Sequence, residues 1–191
     1  MSGVVPGADG LPRCPWGLST PDYVAYHDEE WGRPLHGDAA LYERLSLEAF
    51  QSGLSWITIL RKRPNFRAAF AGFDPHVVSA YGEADVARLL ADAGIVRNRA
   101  KVEATIANAR AMLDLDEPLD TLLWSFAPDG DRPAPQTQAD LAATTPESVA
   151  MAKALKKKGF RFVGPTTAYA LMQATGMVDD HLADCAFRLT A

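Results

Sequence analysis

At 191 residues, with 48% hydrophobic and 23% charged side chains, the chain has the length of one domain and an ordinary globular composition, which excludes global disorder and fibrous classes. A formal net charge of −5 leaves no bulk-basic surface for nucleic acid. Two cysteines at opposite ends, Cys14 and Cys185, argue against a disulfide framework in a reducing compartment.

No apolar run reaches the ~18 residues of a membrane span, and Met1 to Pro12 has neither a basic start nor an apolar core of the secretory kind. The expectation is a cytoplasmic protein with no membrane partner. Residues 1–12, rich in Gly and Pro, read as a flexible tail, and 13–191 as one helical domain. Asp38 predicts a cap for a helix with Leu41, Leu45 and Ala49 at four-residue steps, and Ser55 a cap for Trp56 to Leu60. Asp74-Pro75 is a cap followed by a proline suited to the first helical position. Val86, Leu89 and Leu90 share a face of the next helix, and Val102, Ile106, Ala109 and Leu113 form the longest apolar stripe. Ala127 to Thr144, with Pro128, Gly130, Pro133 and Pro135, predicts a loop and a possible lobe boundary. Thr145-Pro146 opens a helix through Val149, Ala152 and Leu155 that Gly159 stops; Pro165 opens another that Gly176 stops. Strand-like alternation is scarce, so the class is all-α.

Two local basic clusters offset the acidic total: Arg61, Lys62, Arg63 and Arg67, and Lys153, Lys156, Lys157, Lys158 and Arg161. Charge alone reads them as solvated helix ends. Between the last two helices, Gly159-Phe160-Arg161-Phe162-Val163-Gly164-Pro165-Thr166 is a glycine-bounded turn, able to bring backbone amides against a phosphate. An ordinary helical corner plugged by Phe160, Phe162 and Val163 fits the same spacing. The segment resembles the helix-hairpin-helix of the DNA glycosylase superfamily. Where bifunctional members carry an attacking lysine, this chain has Thr166, which implies hydrolysis by water without strand cleavage. That superfamily also places an aspartate after the second helix, for which Asp179 is the candidate.

Cys14 and His27 at one end, His181 and Cys185 at the other, have the donor chemistry of a closed tetrahedral zinc site, the latter pair facing one way if helical. Two satisfied histidines and two buried thiols are the alternative. His36 and His76 read as surface residues, and the deaminase pattern of a catalytic zinc is absent. Aromatic residues concentrate early, at Trp16, Tyr23, Tyr26, Trp31 and Trp56, and Glu48 stands among them between Leu47 and Phe50. Such a glutamate is either solvated beside core tryptophans or held in an apolar pocket that needs a partner or ligand.

Arg13-Cys14-Pro15-Trp16, Tyr26-His27-Asp28-Glu29-Glu30-Trp31-Gly32, Leu47-Glu48-x3-Ser52-Gly53-Leu54-Ser55-Trp56, Ala93-Gly94-Ile95-Val96-Arg97, Lys156 to Pro165 and His181-x3-Cys185 occur in one order over nearly the whole chain. In that order they resemble the 3-methyladenine DNA glycosylase I family. The resemblance implies a helix-hairpin-helix glycosylase domain that excises N3-methyladenine from alkylated double-stranded DNA, with a structural zinc tying the ends together. Carried over, Cys14, His27, His181 and Cys185 match the zinc ligands; Glu48 is the catalytic candidate, with Tyr26 and Trp56 in the base pocket and Trp16, Tyr23 and Trp31 around it. Leu54, in the Gly53-Leu54 turn, matches the residue that fills the gap left by the extruded base. Gly159, Arg161, Val163, Gly164 and Thr166 are the expected hairpin contacts to DNA. A monomer is expected. The competing readings are a non-catalytic helix-hairpin-helix DNA-binding module and a zinc-dependent hydrolase.

Overall fold

Nine α-helices make up most of the computed structural model, which describes residues 3–130 and 132–189; residues 1, 2, 131, 190 and 191 of the expected tail, loop and domain end lie outside it. In chain order they are α1 (Pro21–Glu29), α2 (Asp38–Gln51), α3 (Trp56–Ala69), α4 (Pro75–Ser79), α5 (Glu83–Ala91), α6 (Arg99–Leu113), α7 (Leu119–Trp124), α8 (Pro146–Lys157) and α9 (Pro165–Ala174). The mostly helical class agrees with the sequence reading. None of the described helices is long and apolar enough to cross a membrane.

Helix α2 is the axis. Leu41, Tyr42, Leu45, Leu47, Ala49 and Phe50 are buried around its whole circumference, and it packs against α3, α6, α7 and α9. Arg44, Ser46 and Glu48 are buried with them, so the helix is enclosed on all sides and one of its faces is charged. Its C-terminal half feeds a ladder of rings, Phe50, Phe66, Phe70 and Phe73, with neighbouring centroids 4.6–6.4 Å apart. Glu48 therefore projects from a helix that has no solvated face at that turn, and its residue is 5% exposed.

Several local expectations differ in detail. Gly37, not Asp38, is the cap of α2, and Asp38 instead accepts the Asp120 amide at the start of α7. Helix α3 runs past Leu60 and through Pro64 to Ala69, because Ile59, Phe66 and Ala69 bury one continuous face. Ser55 does occupy its cap position, but the Ile57 amide is taken by the Tyr23 hydroxyl, 2.9 Å away. Asp74 caps α4 as the sequence indicates, accepting from the His76 and Val77 amides. Leu113 ends the α6 stripe in solvent, and Val149 is exposed on α8 where Met151 is buried instead. The stretch expected as a tail holds a two-stranded ribbon, β1 (Val5–Pro6) antiparallel to β2 (Pro12–Arg13), closed by a turn at Asp9-Gly10. The described residues of 127–144 form the expected connection, with a 3₁₀ turn at Gln138–Asp140.

The candidate base pocket, metal clasp and DNA face

A cavity of about 460 Å³ opens between α1, the start of α3 and α9, walled by Trp16, Tyr23, Tyr26, Trp31 and Trp56, with Ser19, Glu48, Gln51 and Gln173 as its polar lining. All five aromatic residues read from the sequence are brought together with Glu48. Trp16 stands edge-on to Tyr23 and Trp31 at 5.6 and 5.0 Å, and Tyr26 lies 5.4 Å from Trp56, so the rings brace one another rather than collapse into the hollow. The volume exceeds that of a purine. Burial pushes the Glu48 carboxyl up to about 7, against the opposing charge of Arg44. The Trp56 indole N–H is buried and has no acceptor among the described residues, an unspent donor in the cavity wall.

Behind the rings lies a group that the sequence reading did not single out. Arg44 donates to the Tyr26 hydroxyl at 2.8 Å and to Glu30 at 3.3 Å, and Glu30 also takes two hydrogen bonds from Arg63. In the sequence Arg44 is one charge among several on this helix, beside Glu43 and one turn before Glu48, and nothing local sets it apart. Gln173 was missed for a similar reason: it reads as one polar position on α9, yet its amide donates to Asp180 from the cavity lining.

At the chain ends, Cys14, His27 and Cys185 are buried and their ligand atoms all lie within 4.8 Å of one another. His27 Nδ1 is 2.8 Å from Asp28 Oδ1, which turns Nε2 toward Cys185 Sγ, 3.6 Å away. His181 adjoins the group, its ring 4.8 Å from that of His27 and its Nδ1 2.9 Å from Asp179 Oδ1. Carboxylates on the outer nitrogens fix both tautomers, the support that ligating histidines receive in metal sites. The Cys14–Cys185 hydrogen bond raises the first thiol and lowers the second, so this pair shares a proton that a divalent ion would displace. Gly17 and Gly32 matter here, because a Cβ on either would meet the His27 or His181 ring at 2.7 Å. The donor set fits a metal. His181 and Cys185 do not share a helix; residues 181–185 form a turn, held by the Leu182 amide on Cys14 Sγ. Asp179, accepting from the His181 amide, His181 Nδ1 and the Leu189 amide, is committed to this clasp and not to the cavity.

A second hollow of about 270 Å³ adjoins the first through Glu48, Gln51 and Ala170, and is lined by Gly53, Leu54, Thr166 and Thr167. It lies between the α2–α3 turn and the first turn of α9. Leu54 is 42% exposed at its rim, and Gly53 takes the left-handed conformation (φ +79°) that lets the turn project. Helices α8 and α9 pack together, joined by the glycine-bounded turn. Asn108 of α6, another residue missed in the sequence, clamps that turn by accepting from the Arg161 amide and donating to the Arg161 carbonyl. Phe160 and Val163 plug the corner, but Phe162 is 43% exposed with φ +57°, so it is not part of the plug. Val163 is buried, while Gly159, Arg161, Gly164 and Thr166 are exposed.

The two basic clusters separate sharply. On α3, Arg61 pairs with Asp22, Arg63 with Glu30 and Arg67 with Glu43, while Lys62 donates to the Ala93 and Gly94 carbonyls. Arg63 is thus drawn into the fold, while Arg61 and Arg67 are paired but stay exposed at the surface. Lys153, Lys156, Lys157 and Arg161 are exposed beside the α8–α9 turn.

Comparison with known proteins agrees with this architecture. A family model described as methyladenine glycosylase matches residues 16–189. The chain is 47% identical to DNA-3-methyladenine glycosylase 1 of Escherichia coli (strain K12) over 179 residues, covering 92% of this chain and 96% of that one. It is 43% identical to the DNA-3-methyladenine glycosylase of Haemophilus influenzae (strain ATCC 51907 / DSM 11121 / KW20 / Rd), covering 91% and 96% respectively. A crystal structure of 3-methyladenine DNA glycosylase I superposes with a TM-score of 0.88 at 47% identity over 91% of this chain and 98% of that one. The Staphylococcus aureus glycosylase, solved for its recognition of 3-methyladenine, superposes with a TM-score of 0.88 at 33% identity over 94% and 97%. By sequence and by fold, this chain belongs to the methyladenine glycosylase family.

Proposed function

We propose that the chain excises N3-methyladenine from alkylated DNA by hydrolysis of the glycosidic bond, and that Glu48 and its ring of aromatic residues form the base pocket. The observation that carries this reading is a nearly fully buried carboxyl lining a purine-sized aromatic cavity. A base inside a duplex is out of reach of such a cavity, so the nucleotide rotates out, at a cost of a few kcal/mol that a poorly paired lesion lowers. Leu54, exposed on its turn at the mouth, fills the space the base leaves. The α8–α9 hairpin is a helix-hairpin-helix that holds the DNA backbone through its glycine amides, Arg161 and the free lysines of α8.

Methylation at N3 gives the attached adenine a formal positive charge, so the leaving group is already activated and general-acid protonation, worth ~10²–10⁴-fold where it is needed, adds little. The C1′–N9 bond breaks, its electron pair neutralises the base, and water adds to C1′ and releases a proton. Thr166 cannot form an imine with the sugar, so the strand is not cut. Discrimination from unmodified adenine comes from charge: aromatic walls attract a desolvated cation by up to ~2 kcal/mol, and ionised Glu48 accepts from the exocyclic amine and faces the positive ring. Tyr26 supplies a hydroxyl to the same base, and Trp16, Tyr23 and Trp31 complete the walls.

Cys14, His27 and Cys185, with His181 as the fourth donor, would hold a zinc ion in a closed structural site, where it would cross-link the chain ends and do no chemistry. Double-stranded DNA is the partner, the chain acts as a monomer, and the compartment is the cytoplasm.

The test is release of N3-methyladenine from methylated duplex DNA, with Glu48→Gln as the control. Release by the wild type with a loss of roughly 10²-fold or more in the variant is expected; equal release by both would overturn the role of Glu48, and strand nicking without added base would contradict the reading of Thr166.

A further inference from the structure

Inside the wall behind the cavity, two arginines share one nearby acid. Arg63 makes a two-pronged ion pair with Glu30 at 2.5 and 2.7 Å, and Arg44 reaches the same carboxylate at 3.3 Å. Arg44 is itself buried, 7% exposed, so its charge is not dissipated into solvent. A buried cation beside an already saturated carboxylate requires another countercharge. Glu48 stands one helical turn further along α2, on the same face as Arg44. The guanidinium carbon lies 5.5 and 5.6 Å from the ring centroids of Tyr26 and Trp56, the two rings nearest to the expected base.

We propose that Arg44 is a positioning residue of the base site: it supplies the countercharge that holds the Glu48 carboxylate ready for a cationic purine, and it turns the Tyr26 hydroxyl proton toward the cavity. The second half follows from donor chemistry. Arginine only donates, so the Tyr26 oxygen accepts from Arg44 and its own proton is left for another acceptor. Specificity is thereby set from behind the rings, by a residue that touches no substrate. The inference rests on the base-pocket reading above.

The charge that Glu48 feels comes from few places. Arg44 on its own helix favours the ionised form, Tyr26 on α1 and Glu30 just beyond it are linked to the same network, and Arg63 on α3 is engaged by Glu30. From α9 the lining residues, Ala170 and Gln173, are uncharged. Burial opposes ionisation, so loss of Arg44 leaves that opposition unbalanced.

The experiment follows the Glu48 carboxyl by ¹³C NMR in the free protein, with Glu48→Gln to assign the signal, alongside the pH profile of kcat/KM on methylated DNA. In Arg44→Met the Glu48 midpoint is expected to rise by about one unit or more, and the acid limb of kcat/KM to move with it. Activity then falls roughly tenfold at pH 6.5 and returns to within about threefold of wild type at pH 9. Arg44→Lys, which keeps the charge, is expected to hold the midpoint within about half a unit. Arg44→Gln, which keeps a donor for Tyr26 without charge, gives the same reading as Arg44→Met should the latter not fold. An unmoved midpoint in a folded neutral variant, or an equal loss at every pH, overturns the proposal. If the wild type releases no base, the function fails instead, and the NMR midpoints still decide the role of Arg44.

Discussion

The ammonium of Lys101, on α6, donates to the Ser52 carbonyl at the point where α2 ends, and it donates to the Phe50 carbonyl as well. A cation at a helix C-terminus meets carbonyls that have no partner within the helix. Here it also sets where the Gly53-Leu54 turn leaves the core. Lys101→Met keeps the stem but leaves two acceptors unpaired, at a cost of about 1–3 kcal/mol. Excision from DNA is expected to fall roughly tenfold, because small misplacements are costly to a positioned contact. Quenching of tryptophan fluorescence by free 3-methyladenine should stay within about twofold of wild type, since the cavity walls are untouched. Equal losses in both assays would show that Lys101 supports the whole site and not the turn.

Leu54 offers a cleaner separation. It is exposed, so Leu54→Ala removes little packing, and the melting temperature should barely move, a surface change of at most about 0.5 kcal/mol. If the side chain fills the gap in the duplex, kcat/KM on methylated double-stranded DNA drops by an order of magnitude or more. Single-stranded substrate, in which no stack has to be held open, should lose much less. A variant as active as wild type on the duplex would remove Leu54 from the mechanism.

Residues whose behaviour is decided within one turn of chain were legible in the sequence. Asp74-Pro75 starts α4 as its chemistry dictates, because an aspartate side chain reaches amides two and three positions on. The mostly helical class was legible from apolar spacing, helix caps and stops, and the scarcity of strand-like alternation. What could not be read was anything settled by a distant partner. Arg61, Arg63 and Arg67 look like a basic helix face until Asp22, Glu30 and Glu43 fold against them. Asp38 was expected to cap its own helix and instead caps the amide of Asp120, far along the chain. For Glu48 spacing alone favours a solvated carboxyl beside core tryptophans; only the closure of α1, α3 and α9 over α2 encloses it. Phe162 illustrates the converse: its apolar side chain fits a plug, but the tight turn forces a left-handed backbone that points it outward.

The clasp between the chain ends makes a prediction of its own. With both outer histidine nitrogens held by Asp28 and Asp179, a metal held by Cys14, His27 and Cys185 would be linked to folding rather than to turnover. Treatment with a strong chelator should lower the melting temperature by something on the order of 10 °C for a domain of this size, while base release at 20 °C persists. Elemental analysis of the purified protein is expected to give one zinc per chain. Prompt loss of excision at a temperature where circular dichroism is unchanged would point to a catalytic metal instead.

Glu48 links function to stability with a definite sign. Its carboxyl rises from an ordinary value of 4.5 to about 7 because burial favours the neutral form. Below pH 4.5 the group is protonated whether the chain is folded or not, and it carries no penalty. Between pH 4.5 and 7 the unfolded chain ionises first, so folding stability declines; above 7 the loss is complete and constant. Taken at face value the shift corresponds to about 3 kcal/mol at 1.36 kcal/mol per unit. Glu48→Gln lacks this titration. Its melting temperature should match wild type near pH 4.5, exceed it increasingly up to pH 7, and remain higher by a fixed amount beyond. A base site that needs a charge in a dry cavity is thus expected to be a source of instability in the free protein, and parallel melting curves for the two proteins across that range would show that the carboxyl is solvated after all.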